Sequence, residues 1–255
     1  MNQLIWKNLM SKLSIVIPVY NEKDTITELI KRVESFIVNF KSIKEVEYVV
    51  VDDGSTDGTK KILEDNYSSK DGFILHCCNI NRGKGAAIRK GFSLSTGDIV
   101  IIQDADLEYS PSDYPALINP IIDGNADVVY GSRFRGETTR VLYFWHYVGN
   151  RFLTLFSNML TNINLSDMET CYKVFKGEII RDMILVSDRF NIEPEITAKI
   201  ARYPDIRIYE VPISYYGRKY KDGKKIKWTD GVWAIMGIIY FNLFWSFKRS
   251  FKSAR

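Results

Sequence analysis

The sequence predicts an α/β protein: a mostly parallel sheet flanked by helices, with a C-terminal amphipathic or interfacial helix. Three observations predict it. Four short apolar, β-branched runs alternate with three helical patterns over roughly 90 residues, the mark of βαβ units with right-handed crossovers. Polar clusters stand at the C-terminal ends of those runs, where open parallel sheets bind ligands. A last apolar run, Gly231 to Phe247, is rich in Trp, Tyr and Phe and carries Lys and Arg on both sides.

The elements follow in order. Leu13 to Val19 is an apolar run, and Pro18 suits the end of a strand. Thr25 to Phe40 places Ile26, Leu29, Ile30, Val33, Phe36 and Ile37 at helical spacing. Val46 to Val51 is a second buried strand, and Asp57 is placed to cap a helix running to about Asn66. Phe73 to Cys77 is a third strand. Gly83-Lys84-Gly85 leads into a helix from Ala86, and Ile99 to Gln103 is a fourth strand. Beyond it the pattern is less regular. Tyr143 to Met159 reads as an aromatic helix, Ile196 to about Arg202 as a short helix, and Ile206 to Ile213 as a strand. His146 is isolated and reads as a buried or interfacial histidine.

Composition narrows the classes. With 255 residues the chain can bury a full core, and 26% charged residues match an ordinary globular protein. Cys77, Cys78 and Cys171 form no disulfide framework and no zinc spacing, which fits a reducing compartment. Met1 to Lys12 lacks a sustained apolar core, so no signal peptide is expected. The net charge is +4, yet ten Lys and Arg from Arg218 onward face only Asp222 and Asp230. That asymmetry points to an acidic partner at this end, a nucleic acid or an anionic membrane.

The chemistry centres on Asp104, Asp106 and Glu108. In extended backbone their spacing puts all three carboxylates on one face. A hard divalent cation would neutralise them; a solvated acidic turn is the plainer reading. Gly83-Lys84-Gly85 is not a Walker A loop, since no Gly precedes Gly83 by five positions and no Ser or Thr follows Lys84. Nor is it a dinucleotide fingerprint, because Ile88 takes the third glycine's place. Lys84 at a helix N-terminus could meet a phosphate. A nucleotidyltransferase would carry a glycine-rich basic loop after the first strand, where Tyr20-Asn21-Glu22 stands instead. A non-catalytic nucleic-acid module is disfavoured because the basic tail flanks an apolar run rather than a polar face.

Five ordered motifs together resemble the family 2 glycosyltransferases of the GT-A (Rossmann-like) fold: Ile17-Pro18-Val19-Tyr20-Asn21-Glu22, Val51-Asp52-Asp53-Gly54-Ser55-Thr56-Asp57-Gly58, Gly83-Lys84-Gly85, Gly97-Asp98 and Asp104-Ala105-Asp106. Gln103 to Glu108, Gly131-Ser132-Arg133-Phe134 and Gly223-Lys224-Lys225-Ile226 resemble the dolichol-phosphate mannose synthase and polyprenyl-phosphate glycosyltransferase branch. The resemblance implies a GDP-mannose or UDP-glucose type of donor, Mg²⁺ or Mn²⁺, and a polyprenyl-phosphate acceptor. Pro18, Tyr20 and Glu22, completed by Val51 and Asp53 with Asp52 beside them, would line the base pocket. Lys84, Asp104, Ala105 and Asp106 would lie along the diphosphate, and Asp104, Asp106 and Glu108 would hold the metal. The branch tends to have Gln at the position of Glu108. Arg133 and Arg140 would receive the acceptor phosphate. Arg218, Lys224 and Lys225 would belong to a loop closing over the diphosphate.

A phosphate monoester is already an anionic nucleophile, so attack with inversion would need cations rather than a dedicated base. A hydroxyl acceptor, in cell-surface glycan synthesis, is the alternative; Asp167 or Glu169 would then serve as base, although both read more readily as structural. Residues 1–217 are expected to form the catalytic domain. Residues 218–255 are expected to form a basic loop and an apolar helix, lying on an anionic membrane surface or packed on the domain. The 17 uncharged residues from Gly231 are marginal against the roughly 20 needed to span a bilayer. The expected location is cytoplasmic, peripheral on the cytoplasmic face of a membrane, with no nucleic-acid partner.

Overall fold

A computed structural model describes residues 12–136, 143–217 and 228–254. The first half forms β1 (Lys12–Val19), α1 (Ile26–Ile37), β2 (Glu45–Asp52), α2 (Thr59–Tyr67), β3 (Phe73–Cys77), α3 (Lys84–Leu94) and β4 (Ile99–Ile102). These are the four strands and three helices expected, within a few residues. The strands are legible because β1, β2 and β4 are buried on both faces, so they read as unbroken apolar runs. The structure starts α3 two residues before Ala86, since Gly83 takes the cap position.

The second half adds α4 (Tyr114–Ile122), β5 (Val128–Ser132), α5 (Phe144–Thr161), β6 (Lys173–Lys176), α6 (Gly177–Asp182), α7 (Ile192–Ile200), β7 (Ile208–Pro212), α8 (Trp228–Ile239) and α9 (Phe247–Ser250). The seven strands form one sheet in the order β3-β2-β1-β4-β6-β5-β7. β6 runs antiparallel to both its neighbours, and the remaining pairs are parallel. β1 lies between β2 and β4, so the chain turns from one side of the sheet to the other at β1 and β4. Such a switch point opens a crevice beyond the strand C-termini.

Three departures from the sequence reading have physical causes. Helix α4 escapes a periodicity reading because Pro115 and Pro120 lie within it; Pro115 falls at its start, where the missing N–H has no helical partner anyway. Helix α7 begins at Ile192 rather than Ile196, and Pro194 is tolerated in its first turn for the same reason. The run from Gly231 is not one helix. It passes from α8 into a π-helical turn, Tyr240–Phe244, and turns extended at Trp245. Arg202 donates to the carbonyls of Phe241 and Asn242 at 2.7 and 2.6 Å, which satisfies backbone groups freed at that turn. Among the described residues no helix is long and apolar enough to cross a membrane.

The far edge of the sheet is tied by Asp127. Its carboxylate accepts from Arg207 Nε at 2.9 Å and Nη2 at 2.8 Å, and pairs with Lys176 Nζ at 2.6 Å. Burial alone would raise its pKa, but these cations outweigh that and bring it down to about 2 from the usual 3.8. A carboxylate depressed in the folded state stabilises above its unfolded pKa, and the effect is lost as pH falls through the folded value. Asp127→Asn is therefore expected to cost about 2 kcal/mol at pH 7. In urea titrations the gap to wild type should shrink as pH falls from about 4 towards about 2.

Candidate active site

The site is built at the C-terminal ends of β1, β2 and β4. Pro18 of β1 stands in register with Val51 of β2, and Val19 with Asp52. Pro18 and Val51 are buried, while Tyr20 is partly exposed just past the strand end. Asn21 adopts a left-handed φ of 51°, stabilised by its backbone N–H on Ser55 Oγ and by its own side-chain oxygen on Thr56 N–H. The buried Glu22 accepts from Thr25 Oγ1 at 2.6 Å.

The two aspartates after β2 do different work. Asp53 accepts from the backbone N–H groups of Arg82 and Gly83, at 3.0 and 2.6 Å, and from Asn81 Nδ2 at 2.8 Å. Burial nonetheless pushes its carboxyl up. It fixes the loop that leads into α3. Asp52 is fully buried; one carboxylate oxygen accepts from Ser55 N–H at 3.1 Å and the other has no hydrogen-bond partner among the described residues. The glycines of Gly83-Lys84-Gly85 serve packing. Gly83 has φ 112°, and a Cβ there would lie 2.5 Å from the Asp188 carbonyl oxygen; one on Gly85 would lie 2.5 Å from that of Ser187. The 187–189 backbone thus seats directly on this loop.

That close approach sets Lys84 at the first position of α3. Its ammonium lies 2.8 and 3.0 Å from the two oxygens of Asp104, just beyond β4. Glu193 Oε1 lies 3.7 Å from the same nitrogen. The anionic neighbours outweigh burial and hold Lys84 well above the usual lysine pKa. Asp104 is also held from behind: Gln103 Nε2 donates to its carbonyl at 3.0 Å, while the Gln103 Oε1 accepts from Tyr114 and Tyr172 hydroxyls at 2.8 and 2.7 Å. Gln103 is completely buried, so it is a fixed base plate for the turn. Cys171 is buried against Asp104, and burial and that charge push its thiol far up. Ala105 is buried between the two aspartates.

Asp106 lies at the partly exposed end of the turn, and its Oδ1 accepts the N–H of Glu108 at 3.2 Å. Leu107 between them has a φ of 60°, which bends the segment out of extended geometry. The expectation that all three carboxylates share one strand face assumed extended backbone, and this bend removes that premise. Glu108 accepts from the Tyr215 hydroxyl at 2.7 Å, and its carbonyl accepts from Tyr216 N–H. Among the described residues no three His, Cys, Asp or Glu side chains are gathered to hold a metal.

Arg133 follows β5. Its Nε and Nη2 donate to the two oxygens of Asp167, both at 2.7 Å, and its backbone N–H donates to the same carboxylate. Its guanidinium also lies over the Tyr215 ring, 5.2 Å from the centroid. Asp167 is wholly buried in this pair. Glu169 has one buried carboxylate oxygen with no hydrogen-bond partner among the described residues. Burial, and then the nearby Glu193, push its pKa up to about 7. Arg140, Arg218, Lys224 and Lys225 lie outside the described residues.

Glu193 is the residue that sequence reasoning passed over. It is 3% exposed and pairs with the fully buried Lys173 of β6. Glu193 and Glu195 follow each other in one helical turn next to proline, which reads as a solvated helix start. Only the depth of Lys173 and Lys199, each buried against one of them, shows otherwise.

Two apolar helices complete the molecule. α5 seats Thr154 and Ser157 inward and exposes Phe144, Trp145, Phe152, Leu155 and Met159. His146 is half-buried beside the Tyr143 ring. α8, packed along α5 and α7, buries Ala234 and Ile238 and exposes Val232, Trp233 and Met236. Phe134, next to Arg133, meets the Tyr147 ring edge-on at 5.3 Å. The start of α5 is thereby joined to the arginine segment.

A mixed sheet with a carboxylate turn at the β1/β4 switch point is the architecture of GT-A glycosyltransferases. The chain belongs to glycosyl transferase family 2, whose model matches residues 14–184. It is 32% identical over 212 residues to undecaprenyl-phosphate 4-deoxy-4-formamido-L-arabinose transferase of Pseudomonas fluorescens (strain Pf0-1), covering 83% of this chain and 59% of that protein. The Proteus mirabilis (strain HI4320) protein of the same name is 30% identical over 217 residues, 84% of this chain and 63% of its own length. The chain thus spans about three fifths of the curated relatives it matches. In fold it is similar to glucosyl-3-phosphoglycerate synthase from Mycobacterium tuberculosis. The structure of that enzyme with UDP gives a TM-score of 0.69 at 17% identity, over 94% of this chain and 82% of that one. A second, with Mn²⁺, UDP and glucosyl-3-phosphoglycerate, gives 0.68 at 16%, over 94% and 82%.

Proposed function

We propose that this chain transfers a hexose from a nucleotide sugar to a polyprenyl phosphate, with inversion, at a membrane surface. The observation that carries the reading is the Asp104 to Asp106 turn at the switch point, with a cation, the Lys84 ammonium, already held on Asp104. The residues fit a divalent ion. Mg²⁺ and similar ions are bound by one or two carboxylates together with substrate phosphates, so a third protein ligand is not required. Asp104 and Asp106 would hold it, and Glu108 would set Tyr215 beside the site. The ion supplies Lewis-acid stabilisation to the departing diphosphate. Pro18, Tyr20, Glu22, Val51, Asp52 and Asp53 shape the base pocket, in part through the loop that Asp53 fixes. Mn²⁺ and UDP in the M. tuberculosis structures support this reading.

Arg133 takes the acceptor phosphate. Asp167 holds one edge of its guanidinium, which orients the plane and leaves the Nη1 side of the fork to bind an anion. Arg140 adds a second cation there, and Arg218, Lys224 and Lys225 supply cations for the diphosphate. The acceptor in the relatives' names, undecaprenyl phosphate, is of this class. A labelled panel of GDP-mannose, UDP-glucose and other UDP-sugars, with Mg²⁺ or Mn²⁺ and undecaprenyl phosphate, tests it. Organic-extractable label from one donor is the expected outcome; none from any donor contradicts the reading.

The exposed faces of α5 and α8 form the membrane contact, with the exposed Arg151 on α5 and the exposed Lys248 and Arg249 of α9, which follows α8 in the chain. Trp145 and Trp233 are 79% and 62% exposed, and each aromatic side chain moved into the interface gains about 2 kcal/mol. Unpaired Cys77, Cys78 and Cys171 suit the reducing, cytoplasmic face. The protein should float with protein-free anionic vesicles, and the Trp145→Ser, Trp233→Ser double variant should not. A wild type that stays at the bottom of the gradient would refute this placement.

A further inference from the structure

We propose that Lys84 is a movable counter-ion with two anionic berths, Asp104 before a divalent ion binds and Glu193 afterwards, which makes Glu193 a positioning residue for the metal seat. The proposal rests on the reading of Asp104 and Asp106 as that seat.

The geometry of Lys84 carries it. Its ammonium now caps both oxygens of Asp104, at 2.8 and 3.0 Å, so it covers the carboxylate a divalent ion would use. Two cations on one carboxylate repel strongly at this depth. Lys84 must yield when the ion arrives. Its backbone cannot follow, because Gly83 and Gly85 are pinned against the 187–189 segment. Its four-carbon stem can, as a lysine ammonium turns on a flexible chain.

A second acceptor is already in place. Glu193 Oε1 is 3.7 Å from the Lys84 ammonium, too far for a hydrogen bond, and it is buried with no hydrogen-bond partner among the described residues. The other oxygen of Glu193 is occupied by Lys173. A buried acceptor left unsatisfied is unfavourable, and a small rotation of the Lys84 stem would satisfy it. The neighbourhood holds Lys84 in either berth, since Asp104 and Glu193 both face its ammonium.

Mn²⁺ binding to the full chain, followed by loss of the free-ion electron paramagnetic resonance signal, tests this without turnover. Removing the competing ammonium in Lys84→Met should tighten Mn²⁺ binding about tenfold in the absence of nucleotide. Removing the second berth in Glu193→Gln should weaken it by a similar factor, and the double variant Lys84→Met, Glu193→Gln should bind as Lys84→Met does. Lys84 is partly exposed and its variant does not disturb the Lys173 pair, so that arm stands even if Glu193→Gln fails to fold. Weaker Mn²⁺ binding in Lys84→Met, or an unchanged affinity in a folded Glu193→Gln, overturns the two-berth proposal. Asp106→Asn separates the levels. If it loses Mn²⁺ while Glu193→Gln does not, the berth alone fails; if it keeps wild-type affinity, the metal seat fails and the proposal with it.

Discussion

Asp106→Asn is expected to fold like the wild type and to lose sugar transfer by about a thousandfold or more, since Lewis-acid help to a leaving diphosphate is worth several kcal/mol. The amide is the informative replacement. Asp106 accepts the Glu108 N–H and so closes the turn around Leu107; an asparagine oxygen can accept the same bond and tolerates such turns. Fold and charge are then separated. Asp106→Ala should lose activity to the same degree, with a further cost of about 1 kcal/mol for the broken turn. Measured as label transferred per enzyme at saturating donor, activity within threefold of wild type in Asp106→Asn would remove the metal from the scheme.

The second large effect is expected at the Arg133 and Asp167 pair. Both groups are buried or nearly so, and their forked geometry leaves little for water to replace. Breaking a buried pair by removing one partner typically costs about 3–5 kcal/mol, because the other charge is stranded. Asp167→Ala should therefore lower stability by about that amount, read from urea midpoints. Arg133→Ala should do so less severely, because Asp167 keeps the Arg133 backbone N–H. The kinetic signature distinguishes site from scaffold. Arg133→Ala should raise the apparent KM for the lipid phosphate far more than it weakens nucleotide-sugar binding. An equal loss on both sides would place Arg133 outside the acceptor site.

The parallel half of the fold was legible because its strands are buried on both faces and its helices keep an apolar stripe. Glycine and acid clusters then fell at the strand ends, where function was expected. The other half hides its pattern behind buried charge. β6 begins and ends in lysine, and Lys173 is fully buried against Glu193, so a central strand reads as polar. α4 hides behind its prolines. Within the site, the types of residue were readable but their pairings were not. Sequence separates Lys84 from Asp104, Arg133 from Asp167 and Asp53 from the α3 loop by whole elements, and each pair forms only when the sheet brings them together. Pairing also decides availability: Asp53 is committed to backbone N–H groups and Asp167 to a buried arginine fork, whereas Asp104 is held by a lysine on a flexible stem.

The most direct test of the central claim sets two acceptors side by side, undecaprenyl phosphate and undecaprenol, with the donor that the nucleotide-sugar panel selects. A site built to gather an anion, with no dedicated base, should glycosylate the phosphate and leave the alcohol untouched. Transfer to the alcohol at a comparable rate, or to neither lipid while a water-soluble hydroxyl acceptor is labelled, would contradict it.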